Sequence, residues 1–478
     1  MFLYAIDYVV GAIFPLITFP YVSRILGVEN LGKYNFSVSI IAYLVLLAKL
    51  GISVYAIREG ARIRDDKKKF NNFASQLFTI NVISTVIVYG IFLLMVLIVP
   101  KFKDYELLLF VLSIQIFVVP LTLDWVYRIY EDFLFVTLRN LIYQIVSVSL
   151  LFVFVKTEGD LLNYAIVTVI SATGANIFNF VCSRKYCRIK LTKKLELNIH
   201  IFPIVTLFAM TIANKIFDTS DIVLLGFMSG DRAVGIYSVA VKVYNIVKGV
   251  AASIVAVSIP RIASLLKTEN ESEVRAESRK IYNILLSISV PVVMGVFVLS
   301  EEIVFILSGE EYLDAVLPLR ILAIDIFVSV VAYFWGQAIL VPFKKDKVVL
   351  KVITVSAILN IVLNIILIPY FNEVATAVTT LLAELIWLVL CRKEGVKLVG
   401  KVENISHFLK VVVGSVPIVV FSFIFKDIIK NMYLYIVVLV VVSGIAYLLI
   451  ELLLKNEVFN EYFYKLKKKI KHRRDSYV

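Results

Sequence analysis

Apolar segments of about 20 residues recur from one end of this chain to the other, with only short polar breaks between them. Membrane hydrocarbon is ~30 Å thick, and a helix rising ~1.5 Å per residue crosses it in about 20 residues. A soluble core has no room for so many such segments. Mean hydropathy is +0.91, and 60% of the 478 residues are hydrophobic. The membrane is therefore the solvent, and hydrocarbon leaves only helices and closed barrels able to satisfy every backbone amide. Barrel strands read as alternating stretches of ~10 residues, whereas these runs are continuously apolar. The chain is predicted to be all-α and polytopic, with about 14 transmembrane helices. They fall near 2–21, 35–57, 75–99, 105–126, 134–155, 161–181, 201–227, 234–259, 282–307, 316–342, 347–370, 373–391, 405–425 and 431–454. Met1 opens directly into the first, without a charged leader or a small-residue cleavage site, so that span is expected to stay.

The net charge of +13 would suit nucleic acid if it formed one basic face, but it follows alternate loops instead. Arg58, Arg62, Arg64 and Lys67 to Lys69 form one basic loop; Arg184, Lys185, Arg188, Lys190, Lys193 and Lys194 another; Lys344, Lys345, Lys347 and Lys351 a third. These are expected on the cytoplasmic side. Lys101, Lys103, Glu310, Glu311 and Asp314 belong to the sparsely charged outer loops. Both termini then lie inside, in agreement with the tail Lys465, Lys467, Lys468, Lys469, Lys471, Arg473 and Arg474, read as an anchor touching anionic lipid. Cys182, Cys187 and Cys391 read as inert thiols, with neither disulfide nor metal spacing. No cofactor, metal or nucleic-acid partner is expected.

Leu26-Gly27, four residues, then Gly32-Lys33-Tyr34 follows the first span; Leu225-Gly226, eight residues, then Gly235-Ile236-Tyr237-Ser238 follows the seventh. A repeat after six spans keeps one orientation, so the copies would be related by an axis along the membrane normal. The expected division is an N-terminal six-helix lobe 1–182, a basic linker 183–200, a second six-helix lobe 201–393, two additional helices in 394–454, and a basic tail 455–478.

The run Phe19-Pro20-Tyr21-Val22-Ser23-Arg24-Ile25-Leu26-Gly27 resembles the oligosaccharide flippases (Wzx type) of the polysaccharide transporter branch of the multidrug, oligosaccharidyl-lipid and polysaccharide (MOP) exporter superfamily. So do Asp124-Trp125 with Glu131-Asp132-Phe133 and Arg139-Asn140, Asp221 before Leu225-Gly226, and Gly235 to Lys242. Asn360, Asn364 and Ile368-Pro369 leading to Ala383-Glu384 complete the resemblance. It departs at Asn372-Glu373, where relatives often carry glycines. The resemblance implies a V-shaped pair of six-helix bundles. It also implies flipping of isoprenoid-diphosphate-linked oligosaccharide from the cytoplasmic to the outer leaflet, for O-antigen, capsule, exopolysaccharide or teichoic-type polymers. Alternating access would be driven by a coupling cation, proton or sodium. Membrane lipids and a polysaccharide polymerase are the further partners, and no catalytic residues are expected.

A central charge in a span costs ~2.5–3.5 kcal/mol unless paired or hydrated, so intramembrane charges are the informative residues. Lys215, Lys242 and Lys248 are candidate contacts for the sugar and diphosphate, with Arg24, Lys49 and Arg139; Asp7 and Asp124 also sit near span ends. Asp325, Glu384, Asp218 and Asp221 are candidates for ion coupling. Two readings stay open: Lys215 can pair with Asp218 on its own helix face, and Asp325 and Glu384 can simply neutralise the lysines. Lys242 and Lys248 are six positions and about 240° apart, so both cannot point squarely into one cavity. Three lysines at membrane depth argue against a multidrug or cation antiporter of the same superfamily. A membrane glycosyltransferase or polymerase would need outer loops bearing catalytic groups, whereas His200, His407 and His472 fall on the cytoplasmic side. A peptidoglycan-precursor flippase is the nearest alternative, because it shares the isoprenoid diphosphate.

Overall fold

The computed structural model describes residues 2–266 and 270–461, and for residues 2–16 and 210 the backbone alone. The Asp7 side chain and the basic residues from Lys465 onward lie outside the described residues. The helices are α1 (Phe2–Lys49), α2 (Ile52–Ile63), α3 (Lys67–Ile98), α4 (Glu106–Phe117), α5 (Asp124–Ile129), α6 (Phe133–Phe154), α7 (Leu161–Cys182) and α8 (Leu197–Ser229). They continue as α9 (Asp231–Leu265), α10 (Glu271–Val298), α11 (Ser300–Ser308), α12 (Val316–Tyr333), α13 (Asp346–Val399), α14 (Ile405–Ile428) and α15 (Met432–Leu453). The described residues contain no strand. Among them, 12 helical stretches are long and apolar enough to cross a membrane. α1 breaks at Gly27 and α13 at Asn372, and counting each as two gives fourteen spans, as the apolar windows require. Asn372 marks the break with φ 45° and ψ −124°; it stands where a glycine was expected, and Asn is among the few other residues that enter positive φ.

The chain divides into two compact units, residues 1–238 with 307–311, and residues 239–306 with 312–478. In the first unit α1 packs against α3, α4, α6, α7 and α8. Its basic end is closed by an aromatic cluster in which Phe70, Phe73, Trp125 and Tyr127 are buried with Cys187. Burial pushes the Cys187 thiol up to about 12, so it stays protonated and unreactive. Residues 187–196 run extended along α3, held by an unusual ladder. The backbone N–H groups of Arg188, Lys190 and Thr192 donate to the side-chain oxygens of Asn71, Ser75 and Thr79, at 2.9, 3.1 and 3.1 Å. Two extended residues advance about 6.6 Å and four helical residues about 6 Å, so every second amide meets every fourth side chain. Glu196 N then donates to Gln76 Oε1 at 2.9 Å, the same oxygen that lies 3.1 Å from His200 Nε2. The basic linker is thereby strapped to α3, with Arg188 and Lys190 exposed and Cys187 buried between them and the core.

In the second unit α12 packs on α13 and α10, and the pair α14–α15 docks through α14 onto α10. Polar contacts fix that docking: Tyr447 donates to the Ser287 carbonyl at 2.7 Å, and the His407 Nε2 lies 3.0 Å from the Asn283 carbonyl. α12 passes into a π-helical segment, Phe334–Leu340, whose fully buried Trp335 packs against Gly395 of α13.

The repeat has a structural counterpart that keeps the match of Gly32 to Tyr34 with Gly235 to Tyr237 and changes only the partner of Gly27. Gly27 has φ 72° and ψ 173°, and Gly230 has φ 87° and ψ −172°. Only glycine adopts this region without strain. Each is followed at five residues by a second glycine and at seven by a tyrosine: Gly27, Gly32, Tyr34 and Gly230, Gly235, Tyr237. Gly226, matched through its dipeptide, instead packs on the Phe36 ring. What the two copies share is the backbone conformation at the helix break, which the dipeptide does not report. The segments touch reciprocally: a Cβ on Gly32 would collide with the Asp231 carbonyl, and a Cβ on Gly235 with the Val28 carbonyl. Val28 stands one residue after the first break and Asp231 one after the second, so exchanging the copies leaves the contact unchanged, as an isologous crossing requires. Gly32→Ala and Gly235→Ala are therefore expected to lower the unfolding midpoint of the purified protein. Gly90→Ala and Gly295→Ala, where an added Cβ meets open space, should instead gain about 0.5–1 kcal/mol of helix propensity. Thermal unfolding in detergent checks this, and equal behaviour of all four variants would remove the crossing as a constraint.

Candidate functional site

The first unit gathers its ionic residues near the basic end. Asp124 opens α5, and Arg139 lies in the second turn of α6. Arg139 Nη1 is 3.1 Å from Asp124 Oδ1, and the guanidinium also donates to the side chains of Asn179 and Asn140. Asn179 closes the ring by donating to Asp124 Oδ1 at 2.7 Å, while its backbone carbonyl accepts from Tyr127 at 2.7 Å. Arg139 is 5% exposed, and its Nε has no hydrogen-bond partner among the described residues. Lys49, at the end of α1, is partly buried with Asp124 as its electrostatic neighbour. Asp132 caps α6 through Phe135 N and accepts a hydrogen bond from the Tyr186 hydroxyl. That hydrogen bond holds its carboxyl below the usual range, with the Phe135 amide and nearby Lys185 assisting. The motif residues Asp124, Asp132, Arg139 and Asn140 thus form one connected frame at the ends of α5, α6 and α7.

Farther along the same unit, Lys215 on α8 is partly buried with Asp218 beside it, and Asp218 itself is exposed. Asp221 is buried and accepts from the Tyr237 hydroxyl at 3.0 Å. Tyr43 of α1 lies against Thr219 with both aspartates as electrostatic neighbours, which ties α1 to α8 through polar contacts. Arg24 is exposed, next to Gly309. Near the glycine crossing, Lys101 donates to the Gly226 carbonyl and stands 5.1 Å from the Phe36 ring, and Tyr105 donates to the Asp231 carboxylate.

The second unit holds a buried ionic cluster. Lys248 of α9 lies 2.7 Å from Glu384 Oε1 of α13 and 3.2 Å from the Tyr244 hydroxyl. It also stands over the Tyr244 ring at 5.2 Å and the Trp387 ring at 6.0 Å. Glu384 and Asp325 are both 0% exposed. Tyr244 joins them, lying beside Asp325, Glu384 and Ser329. Glu384 Oε2 has no hydrogen-bond partner among the described residues. Lys242, six residues before Lys248, is partly buried on another side of α9. A second polar group lies on α13, where Thr379 donates to Asn364 Oδ1 at 2.8 Å and Asn364 donates to Asn360 Oδ1 at 3.1 Å.

The structure therefore brings Lys248, Glu384 and Asp325 into one cluster, sets Lys49 and Arg139 about Asp124, and places Lys215 beside Asp218, with Asp221 on Tyr237. Tyr244, Trp387 and Asn179 complete the first two groups, Thr379 joins Asn360 and Asn364, and all four were missed as site residues. Tyr244 was detectable: it stands four residues before Lys248, on the same helix face.

A family model described as "Polysaccharide biosynthesis protein" matches residues 1–266, more than half of the chain. The chain belongs to this family. A second model, "MatE", matches residues 206–366. Among curated proteins, the chain is 24% identical to the "Putative O-antigen transporter" of Escherichia coli (strain K12) over 383 residues, covering 77% of this chain and 89% of that one. Among solved structures it resembles a Lipid II flippase MurJ in an inward closed conformation, with TM-score 0.77, 15% identity, and coverage of 97% of this chain and 99% of that one. It also resembles an inward-facing multidrug resistance MATE family transporter of the MOP superfamily, with TM-score 0.58, 14% identity, and coverage of 80% and 94%. At these identities the likeness establishes the fold alone, a MOP-like arrangement of helices; the multi-pass reading rests on the apolar spans.

The Asp124–Arg139 ring carries a stability prediction for this polysaccharide-biosynthesis family member. Asp124→Leu should destabilise by about 3 kcal/mol, because it leaves a buried guanidinium uncompensated. Adding Arg139→Met should recover most of that loss, since removing both charges abolishes the desolvation penalty. A double-mutant cycle read by thermal unfolding measures the coupling, and additive losses would show that the two side chains do not depend on one another.

Proposed function

We propose that this chain flips isoprenoid-diphosphate-linked oligosaccharide units from the cytoplasmic to the outer leaflet of a bacterial inner membrane, with both termini in the cytoplasm. The observation that carries the reading is the set of partly buried lysines inside the spans of a family member, Lys215, Lys242 and Lys248. A cationic lining suits a compact diphosphate that must pass a region of low dielectric. Lysine offers a flexible point charge that can follow a phosphate and release it, where a bidentate arginine would hold it in one geometry. The O-antigen transporter relative supports an oligosaccharide cargo. In this reading Arg24, Lys49 and Arg139 assist at the span ends, no bond in the cargo changes, and no catalytic residue is required. A polymerase would consume the product to build O-antigen, capsule, exopolysaccharide or teichoic-type polymer. The sequence repeat defines the working lobes as 1–182 and 201–393, joined by the linker 183–200, with 394–454 as two accessory helices and 455–478 as the tail.

We further propose that transport is driven by a cation gradient acting through Glu384 and Asp325, with Asp218 and Asp221 as secondary candidates. Two fully buried carboxyl groups and one lysine meet around Tyr244. A proton or a metal cation entering that cluster changes its charge, and its departure restores it, giving an element that a gradient can bias. Export of the sugar polymer from cells expressing matched amounts of each variant is the test. Lys242→Glu is expected to abolish export by repelling the diphosphate, and Lys242→Arg to retain part of it. Lys215→Ala should be milder, and Glu384→Gln should abolish gradient-driven export. Wild-type export from Lys242→Glu and Glu384→Gln together would remove both the substrate path and the coupling site from these helices.

A further inference from the structure

A cavity of about 170 Å³ lies on one stripe of α10, far from the ionic cluster in sequence and made of different chemistry. Ala276, Arg279, Lys280, Asn283 and Ile284 line one wall, at the i, i+3, i+4, i+7 spacing of a single helix face. The other wall is Glu457, Val458 and Glu461, from the helical segment 457–461 that follows α15. Two contacts hold that segment in place: Lys280 Nζ is 2.6 Å from Glu461 Oε1, and Phe459 meets the Tyr447 ring edge-on at 5.6 Å. The space is several times the volume of a water molecule.

One buried group in this cavity lacks its complement. Asn283 is 3% exposed and lines the cavity, yet its Oδ1 has no hydrogen-bond partner among the described residues. A buried amide oxygen left without a donor costs about 1–3 kcal/mol, so a rotation of the Asn283 side chain that turns Oδ1 toward a donor in the cavity is favoured. The walls offer opposite charges within one small space. Arg279 supplies a guanidinium, the group best suited to phosphate oxygens, and Glu457 supplies a carboxylate on the facing wall. A ligand that satisfies all three carries an ammonium with N–H donors at one end and a phosphate at the other. The site sits where α10 passes from the charged turns Arg275 to Lys280 into the apolar run Ile284 to Val298, the level at which lipid head groups lie.

We propose that this cavity binds a zwitterionic aminoalkyl-phosphate lipid head group of the phosphatidylethanolamine type, with the ammonium on Asn283 and Glu457 and the phosphate on Arg279. Such a lipid clamps the segment 457–461 to α10 and so stabilises the docking of the accessory helix pair. It does not depend on the identity of the transported cargo.

The test uses the full-length protein in detergent, titrated with short-chain phosphatidylethanolamine, phosphatidylcholine or phosphatidylglycerol and followed by thermal unfolding. Phosphatidylethanolamine is expected to raise the unfolding temperature saturably. Phosphatidylcholine lacks N–H donors and phosphatidylglycerol lacks the cation, so each should need a concentration about tenfold higher. Glu457→Gln and Asn283→Leu should each raise the half-saturating phosphatidylethanolamine concentration about tenfold. Glu457 is exposed, so the first variant should fold normally even if the second is impaired. Equal effects of the three lipids, no saturable effect of any, or unchanged titrations in Glu457→Gln would overturn the proposal. Soluble phosphoethanolamine acting at the same concentration as the lipid would overturn the lipid assignment in favour of a small aminophosphate.

Discussion

Placing charge in hydrocarbon is the cost around which this molecule is arranged. An uncompensated ionic side chain at mid-membrane is worth ~2.5–3.5 kcal/mol against insertion on translocon scales, and the described spans nevertheless hold Lys49, Asp124, Arg139, Lys215, Asp221, Lys248, Asp325 and Glu384. The clearest cases are tied into groups: Asp124 with Arg139 and Asn179, Lys248 with Glu384 and Tyr244, Asp221 with Tyr237. Asn179 with Asp124 and Lys248 with Glu384 bridge helices that are distant in sequence, so these contacts also fix which helices are neighbours. Apolar packing alone specifies such neighbours weakly in lipid, because a lipid tail is as apolar as leucine.

The same need to satisfy polar groups shapes the connections. The linker gives its amides to Asn71, Ser75 and Thr79 instead of to water, which makes it part of the first unit's surface. Just beyond the break in α1, Gly32 and Gly235 let two helices approach to backbone contact. Small residues at such crossings are the usual means of close packing between membrane helices, where van der Waals contact and interhelical hydrogen bonds replace the hydrophobic drive.

Much of this was legible in the sequence, because hydrocarbon imposes a length and a polarity that any reader can measure. The span positions, the all-helical class and the break near Asn372 follow from apolar windows and from Pro369 with its neighbours. The repeat was visible as well, with Gly32 and Tyr34 rightly matched to Gly235 and Tyr237, but one pairing in it was misread: Gly226 was matched by its preceding leucine, whereas the equivalent of Gly27 is Gly230, identified by φ and ψ. Spacing on one helix is enough to foresee that Lys242 and Lys248 diverge. The partner of Lys248 was not fixed by spacing, since Glu384 lies 136 residues away and long-range pairing leaves no periodic trace. For the same reason Asn179 could not be read as the third member of the Asp124–Arg139 ring. The linker ladder leaves a faint trace, three small polar residues at four-residue intervals on α3, that acquires meaning only when the linker backbone lies against it.

The function proposed from the family, the helical fold and the buried ionic groups is that the chain carries a diphosphate-linked glycan across a bilayer without changing it. The most direct measurement is reconstitution of the purified protein into vesicles containing a fluorescent isoprenoid-diphosphate oligosaccharide. A membrane-impermeant reagent then reads how much of the head group has changed leaflet after a cation gradient is imposed. Head-group translocation that requires the protein and accelerates with the gradient is the expected result. Translocation equal to that of protein-free vesicles, with or without the gradient, would contradict it.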